Sequence, residues 1–197
     1  MDDAASVPEP PQLAAGALRA LAHPLRVAIF DILSQRGPQT ASTLADLTGE
    51  STGSTSYHLR ALAKHGLIVE APGTGRGRER WWRRPEGAVS FVNPEALETP
   101  AGRAASQVVM TEFLNRRHGQ LLDFIEHGIR AGVDDWSEAA VVSTSTTHLT
   151  LEQLSELTAR LQAVVDEFTR AHRDQRGPGV RTVTIRTDAF PLPLDGA

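Results

Sequence analysis

The sequence predicts an α+β fold, mainly helical, on three observations. The first is residues 51–66 (STGSTSYHLRALAKHG). Read as a helix, they put Thr55, Leu59 and Leu62 at i, i+4 and i+7 on one buried stripe and leave Ser54, Tyr57, His58, Arg60, Ala61 and Lys64 facing outward. The second is a short helix just upstream at residues 40–47 (TASTLADL), with Thr40 as its N-cap and Gly49 supplying the turn between the two. The third lies just downstream: an apolar run at 67–71 (LIVEA), a tip at 72–78 (PGTGRGR) carrying three glycines, and an aromatic, cationic run at 79–84 (ERWWRR). Two short strands around such a tip form a hairpin. Together these make a helix-turn-helix with a basic wing, the layout in which the second helix enters a major groove. The whole chain then reads as an N-terminal winged helix-turn-helix, a long helix and a small β-α-β unit.

In chain order, residues 1–12 are acidic and proline-bearing; they read as a disordered arm and are unlike a secretory signal. The winged domain spans 13–94. A helix at 13–22 stops at His23-Pro24, because the residue before proline resists the α region. Pro24 opens the next helix, 24–36 (PLRVAIFDILSQR), where its missing N–H does little harm. Leu25, Ala28, Ile29, Ile32 and Leu33 give that helix its stripe, and Gly37-Pro38 ends it. His23, at a helix junction, is read as a structural partner rather than a ligand. Residues 88–93 read as a strand or extended connector, and 96–102 as a loop.

Residues 95–135 form a linking and dimerisation segment built on one helix at 103–132, with Val109, Phe113, Leu121, Leu122, Ile125 and Ile129 as its apolar side. The pattern loosens where Asn115, Arg116, Arg117 and His118 crowd together, and Gly119 and Gly128 weaken it further. Residues 136–197 are read as the β-α-β unit: a strand at 139–149, a helix at 151–173 opened by a Thr150/Gln153 capping box, and a strand at 180–187 (VRTVTIRT) after the GPG break. This unit is given an effector or dimerisation role.

The stretch ALRALAHPLRVAIFDILSQRGPQTASTLADLTGESTGSTSYHLRALAKHGLI resembles the DNA-binding domain of ArsR-like winged-helix transcriptional regulators. The matching pieces are the LAHPLR junction, the helix around Leu44-Ala45, STSYHLRAL and the HGLI that leads into the wing, covering roughly the first half of the chain. The resemblance implies a homodimer that binds a pseudo-palindromic operator in double-stranded DNA, usually as a repressor released by a small-molecule effector. It implies DNA-facing residues at Ser51, Thr52, Ser54, Ser56, Tyr57, His58 and Arg60, with Lys64, Thr40 at the first helix, and Arg76, Arg78 and Arg80 of the wing nearer the backbone. It also implies a dimer interface on the helix after the wing. The chain departs from the metal-sensing branch, which carries a cysteine pair on the first helix of the motif.

Composition narrows the choice further. With no cysteine there is no disulfide and no thiolate metal site, which suits a reducing cytoplasm. No apolar run approaches the length of a membrane span. The net charge of −4 hides an asymmetry: residues 15–87 hold ten Lys/Arg against six Asp/Glu, and residues 57–84 hold seven against two. The positive field is therefore focused on the helix and wing, as on a nucleic-acid-binding face. His118, Asp123, Glu126 and His127 share one helix, but His118 and Glu126 are eight residues apart and His127 points about a quarter-turn aside, so they read as solvated side chains, and no metal or cofactor is expected. GTGRG lacks the Lys-Ser/Thr of a phosphate loop, and no nucleophile elbow is present, so no catalytic residues are assigned. The alternative function is a winged-helix protein-interaction module without direct DNA readout.

Overall fold

The computed structural model describes residues 12–71, 79–85, 91, 93–131, 134–172 and 174–193. They divide into two compact units, one within residues 10–140 and the other within residues 141–197.

The first unit is organised around one helix. After α1 (Ala15–Leu21), His23 caps α2 (Pro24–Arg36), its Nδ1 accepting the Leu25 N–H at 3.2 Å, with Pro24 at the first helical position. Val27, Ile29, Phe30, Ile32 and Leu33 of α2 are all buried, so the helix is covered on more than the one stripe its periodicity predicts. Phe30 sits edge-on to Phe91 and Phe113, with ring centroids at 6.1 and 6.3 Å, and the Arg84 guanidinium lies 4.7 Å over its ring. Arg84 also donates to the Ser34 hydroxyl at 3.0 Å.

Next come α3 (Ala41–Thr48) and α4 (Thr52–Lys64), which complete the helix-turn-helix. A small antiparallel sheet closes the domain, with strand order β1 (Gln39–Thr40), β3 (Trp81–Arg83), β2 (Val69–Glu70). Gln39 and Thr40 pair with Trp82 and Trp81, and Val69 and Glu70 pair with Arg83 and Trp82. The expected alternation of the two tryptophans is resolved: Trp82 is buried in the core and Trp81 is half-exposed. The strand β1 has no counterpart among the elements expected from the sequence, because two residues carry no periodicity; it exists because β3 supplies its partner. The wing tip at 72–78 and most of the expected strand at 88–93 lie outside the described residues.

The stretch read as a loop at 96–102 belongs instead to two helices joined by a turn at Glu98 and Thr99. Asn93 caps α5 (Pro94–Leu97), its Oδ1 accepting the Ala96 N–H at 3.1 Å while its Nδ2 donates to the Leu13 carbonyl at 2.8 Å. The long helix α6 (Pro100–Ala131) starts immediately after, with Thr99 Oγ1 accepting the Gly102 N–H at 3.1 Å. Proline and glycine mislead here: Pro100 stands at a helix start, and Gly102 is needed for close packing. A Cβ on Gly102 would stand 1.9 Å from the Ala96 carbonyl oxygen. Ala105, Val109 and Phe113 of α6 are buried against the rest of the domain. Arg116, which blurs the apolar pattern, turns inward: its Nε donates at 3.0 Å to Asp31 Oδ2, whose other oxygen accepts from Gln35 at 2.9 Å. A short helix α7 (Asp135–Glu138), not expected from the sequence, ends the unit.

In the second unit, α8 (Leu151–Ala171) forms as expected, and its capping box is present on both sides: Gln153 N–H to Thr150 Oγ1 at 3.2 Å and Thr150 N–H to Gln153 Oε1 at 3.0 Å. The two flanking strands do not form. Residues 140–150 and 180–193 carry no strand, which corrects the β-α-β expectation. Alternating Val, Thr and Ile make a stretch able to be a strand, but a strand is completed by a paired strand, and among the described residues neither stretch has one.

The α6 junctions can be tested by two substitutions. Gly102→Ala forces a methyl onto the Ala96 carbonyl and should cost about 1–3 kcal/mol of overpacking, read as a lower urea midpoint. Arg116→Ala leaves the buried Asp31 carboxylate with only Gln35 and should lower stability by about 1–3 kcal/mol in the same experiment, with most of the loss recovered when Asp31→Ala is added.

Candidate nucleic-acid interface

The turn between α3 and α4 is built by four residues. Gly49 adopts φ 71°, the left-handed conformation that ends α3, and the Glu50 N–H returns to the Ala45 carbonyl at 3.0 Å. Ser51 caps α4, its Oγ accepting the Ser54 N–H at 3.1 Å. Thr55, fully buried, donates its hydroxyl to the Ala41 carbonyl at 2.9 Å, bolting the first turn of α4 to the first turn of α3. With Leu59 and Leu62 it forms the buried stripe expected from the sequence.

The other side of α4 carries most of the residues expected there. Ser51, Thr52, Tyr57, Arg60 and Lys64 are exposed, Tyr57 at 58%, while Ser54 and Ser56 are half-buried. His58 is a correction. It is only 8% exposed and faces inward, accepting at Nδ1 from Arg26 Nε at 3.1 Å, with the His23 ring 4.6 Å away. Arg26 is held in turn by the Ala20 carbonyl at 2.6 Å. A 100° step per residue puts position 58 beside the Thr55 stripe rather than opposite it, and the partner that admits an imidazole there comes from α2.

Thr40 is a second correction. It is buried, paired in β1, and its Oγ1 accepts the Thr43 N–H at 3.1 Å, so the cap consumes the side chain expected at DNA. Arg76 and Arg78 lie outside the described residues. Arg80 is exposed and pairs with Glu70 at 3.1 Å across the base of the wing. An exposed pair of this kind is a weak tie, readily exchanged for another anion.

Two further residues join the site, Ser42 and Glu79, which the sequence does not single out. Ser42 on α3 donates to Glu79 Oε1 at 3.2 Å, and both line an open groove with Ser56, Arg60, Arg80 and Trp82. Neither carries a signal in the sequence, because the contact depends on the β1–β3 pairing that brings the first turn of α3 beside the wing. The groove therefore presents hydroxyls, a carboxylate and guanidinium groups together, a set able to address base edges and phosphates at once, and Tyr57 and Lys64 are exposed elsewhere on α4.

Burial, the neighbouring His23 and the Arg26 guanidinium hold the His58 imidazole below its ordinary pKa of 6.5, with Glu50 opposing. Among the described residues no group of three His, Asp or Glu side chains is arranged to hold a metal, and no helix is long and apolar enough to cross a membrane.

A family profile described as a helix-turn-helix domain matches residues 21–71, from the end of α1 to the residue after β2. Residues 21–71 therefore form a helix-turn-helix domain, a class that points to DNA binding. No curated protein matches the chain. Among solved structures, the crystal structure of RV1404 from Mycobacterium tuberculosis is 19% identical, with 82% of this chain and 86% of that chain covered and a TM-score of 0.31, a likeness too distant to bear on fold or function.

His58 makes the stability of the domain depend on pH. The folded state protonates this imidazole less readily than the unfolded chain, whose ordinary value is 6.5. Its stabilisation is thus complete above that pH and is lost as the pH falls below it. The urea midpoint should drop between pH 7.5 and 5.5 in the wild type, and the drop should shrink in His58→Gln, whose amide oxygen accepts from Arg26 without titrating.

Proposed function

We propose that this protein is a homodimeric, sequence-specific transcriptional regulator of the ArsR-like kind, acting in the cytoplasm as a repressor whose operator affinity is set by a small-molecule effector. The observation that carries the proposal is the exposure of Tyr57, Arg60 and Lys64 on α4, with Arg60 sharing a groove with Ser42, Glu79 and Arg80, on a helix whose roll is fixed from behind by Thr55 and His58.

In this mechanism α4 lies in the major groove. Arg60, at mid-helix, reads a base edge; Ser54, Ser56 and Tyr57 make shorter-range hydrogen bonds; Ser51, Thr52 and the N–H groups of the first turn meet a phosphate. Lys64 and the wing arginines Arg76, Arg78 and Arg80 bind flanking backbone. Thr40 and His58 act from behind the face by fixing the two helices. The dimer is assigned to the second half of α6. Among the described residues Phe113 is the last buried one of this helix, and beyond it Leu114, Leu122, Phe124 and Ile125 are exposed on a helix about 48 Å long. A two-fold axis there would set the two recognition helices to half-sites about 34–36 Å apart.

Fluorescence anisotropy of the full chain on duplex from its own upstream region, against scrambled duplex across a salt series, tests the proposal. Arg60→Ala should cost about 1–3 kcal/mol on the preferred duplex and far less on the scrambled one. Arg76→Ala should weaken both alike and lower the slope of log affinity against log salt by about one. Equal losses for Arg60→Ala on the two duplexes would remove its base-reading role, and no duplex binding at low salt would favour a protein-interaction module.

A further inference from the structure

The groove between α3, α4 and the wing holds one group that a polyanion would repel. Glu79 is exposed, and residues 57–84 carry only one other acid, Glu70, against seven cations. Glu70 is paired with Arg80 at 3.1 Å, whereas Glu79 has no ion pair among the described residues and is held by the Ser42 hydroxyl at 3.2 Å. That hydroxyl sits in the first turn of α3, whose start is fixed by the Thr40 cap and by the pairing of β1 with β3. The carboxylate is therefore anchored to the frame of the helix-turn-helix, so little ordering is lost when it meets a ligand. It lines the same groove as Ser56, Arg60 and Arg80. A fixed negative charge among hydroxyls and guanidinium groups costs affinity for phosphate. The cost is offset only where the ligand brings a hydrogen-bond donor to it.

We infer that Glu79 is a specificity-determining residue that accepts a hydrogen bond from the N4 amino group of a cytosine, in or next to the base pair whose guanine Arg60 contacts. The inference rests on the DNA-binding reading above and adds the base chemistry of its site. In the major groove a G·C pair presents guanine N7 and O6 as acceptors and cytosine N4 as a donor. A guanidinium and a carboxylate in one groove are the complement of that pattern: Arg60 donates to the two acceptors and Glu79 accepts from the amino group. The other bases fit less well. Thymine offers O4, and guanine offers N7 and O6, all acceptors that repel a carboxylate. Adenine has an amino group, but its N7 turns a lone pair toward the second carboxylate oxygen, so only half of that edge is matched. Specificity thus comes from a penalty on the wrong base as much as from a bond to the right one. Ser42 acts as a positioning residue through its bond to Oε1 of Glu79.

The test is selection of duplexes from a randomised pool by the full chain, read by sequencing, then anisotropy titration on the selected duplex and on single base-pair changes of it. The wild type should select cytosine at one position of the site, within one step of an Arg60-dependent guanine, with any other base there costing on the order of 10–100-fold. Glu79→Ala should reduce that preference to about threefold or less, leave the guanine preference in place and tighten binding to scrambled duplex by removing a repelled charge. Glu79→Gln should move the preference to adenine, whose N6 and N7 suit a side-chain amide. Ser42→Ala should weaken the cytosine preference without changing which base is chosen, and Ser42→Thr should restore it. Since Glu79 and Ser42 are exposed, urea midpoints should stay near the wild-type value, which separates a lost contact from a lost fold. A Glu79→Ala chain that selects the same bases as the wild type would overturn the inference and leave the DNA-binding reading intact. So would one that gains affinity equally on every duplex. A wild-type chain that binds no duplex would remove both.

Discussion

The first unit depends on the burial of α2. A helix covered on several sides gives its neighbours one surface to agree on, and Phe30 is where they meet: Phe91 and Phe113 approach its edge while Arg84 from the end of the wing strand stacks over its face. Wing, post-wing segment and long helix are thus registered against a single side chain. Asp31, the next residue, does the same with charge, because Arg116 reaches it from a helix 85 residues away in sequence. A buried carboxylate tolerates few arrangements around it, so this ion pair specifies where along α6 the helix leaves the domain.

The exposed face of α4 is a by-product of how its reverse side is fixed. Thr55 ties α4 to the start of α3, Leu59 and Leu62 enter the core, and His58 is claimed by Arg26 of α2. Once these four positions are set, Tyr57, Arg60 and Lys64 can only point away. The wing is attached to the same frame, since β3 pairs with β1 immediately before α3 and Ser42 meets Glu79 across the join. Helix and wing are held as one surface through a sheet of only two or three residues per strand.

Much of this is legible in the sequence because it rests on periodicity and local chemistry. Leu59 and Leu62 at helical spacing, the Ser51 cap, Gly49 in a left-handed turn, Pro24 at a helix start and the Thr150/Gln153 box each depend on neighbours within a turn or two. What is not legible depends on distant partners. His58 reads as outward-facing because polarity suggests exposure, and only Arg26, 32 residues earlier, makes its burial favourable. Thr40 reads as a DNA contact although its cap already uses its oxygen. Gly102 and Pro100 read as loop because their helix-start and close-packing roles need α5 in place. The strand-like alternation at 139–149 and 180–187 reports what those residues can do, while the partner that would complete a ladder is not encoded within either stretch.

The contact between Arg26 and His58 also settles the chemical form of a ring at the centre of α4. Arginine can only donate, so Nδ1 must offer its lone pair, and the single ring proton of the neutral imidazole resides on Nε2. One tautomer is therefore selected by a neighbouring helix. A substitution on α2 that exchanged this donor for an acceptor would invert the tautomer, and α4 would have to accommodate a relocated proton without any change in its own sequence.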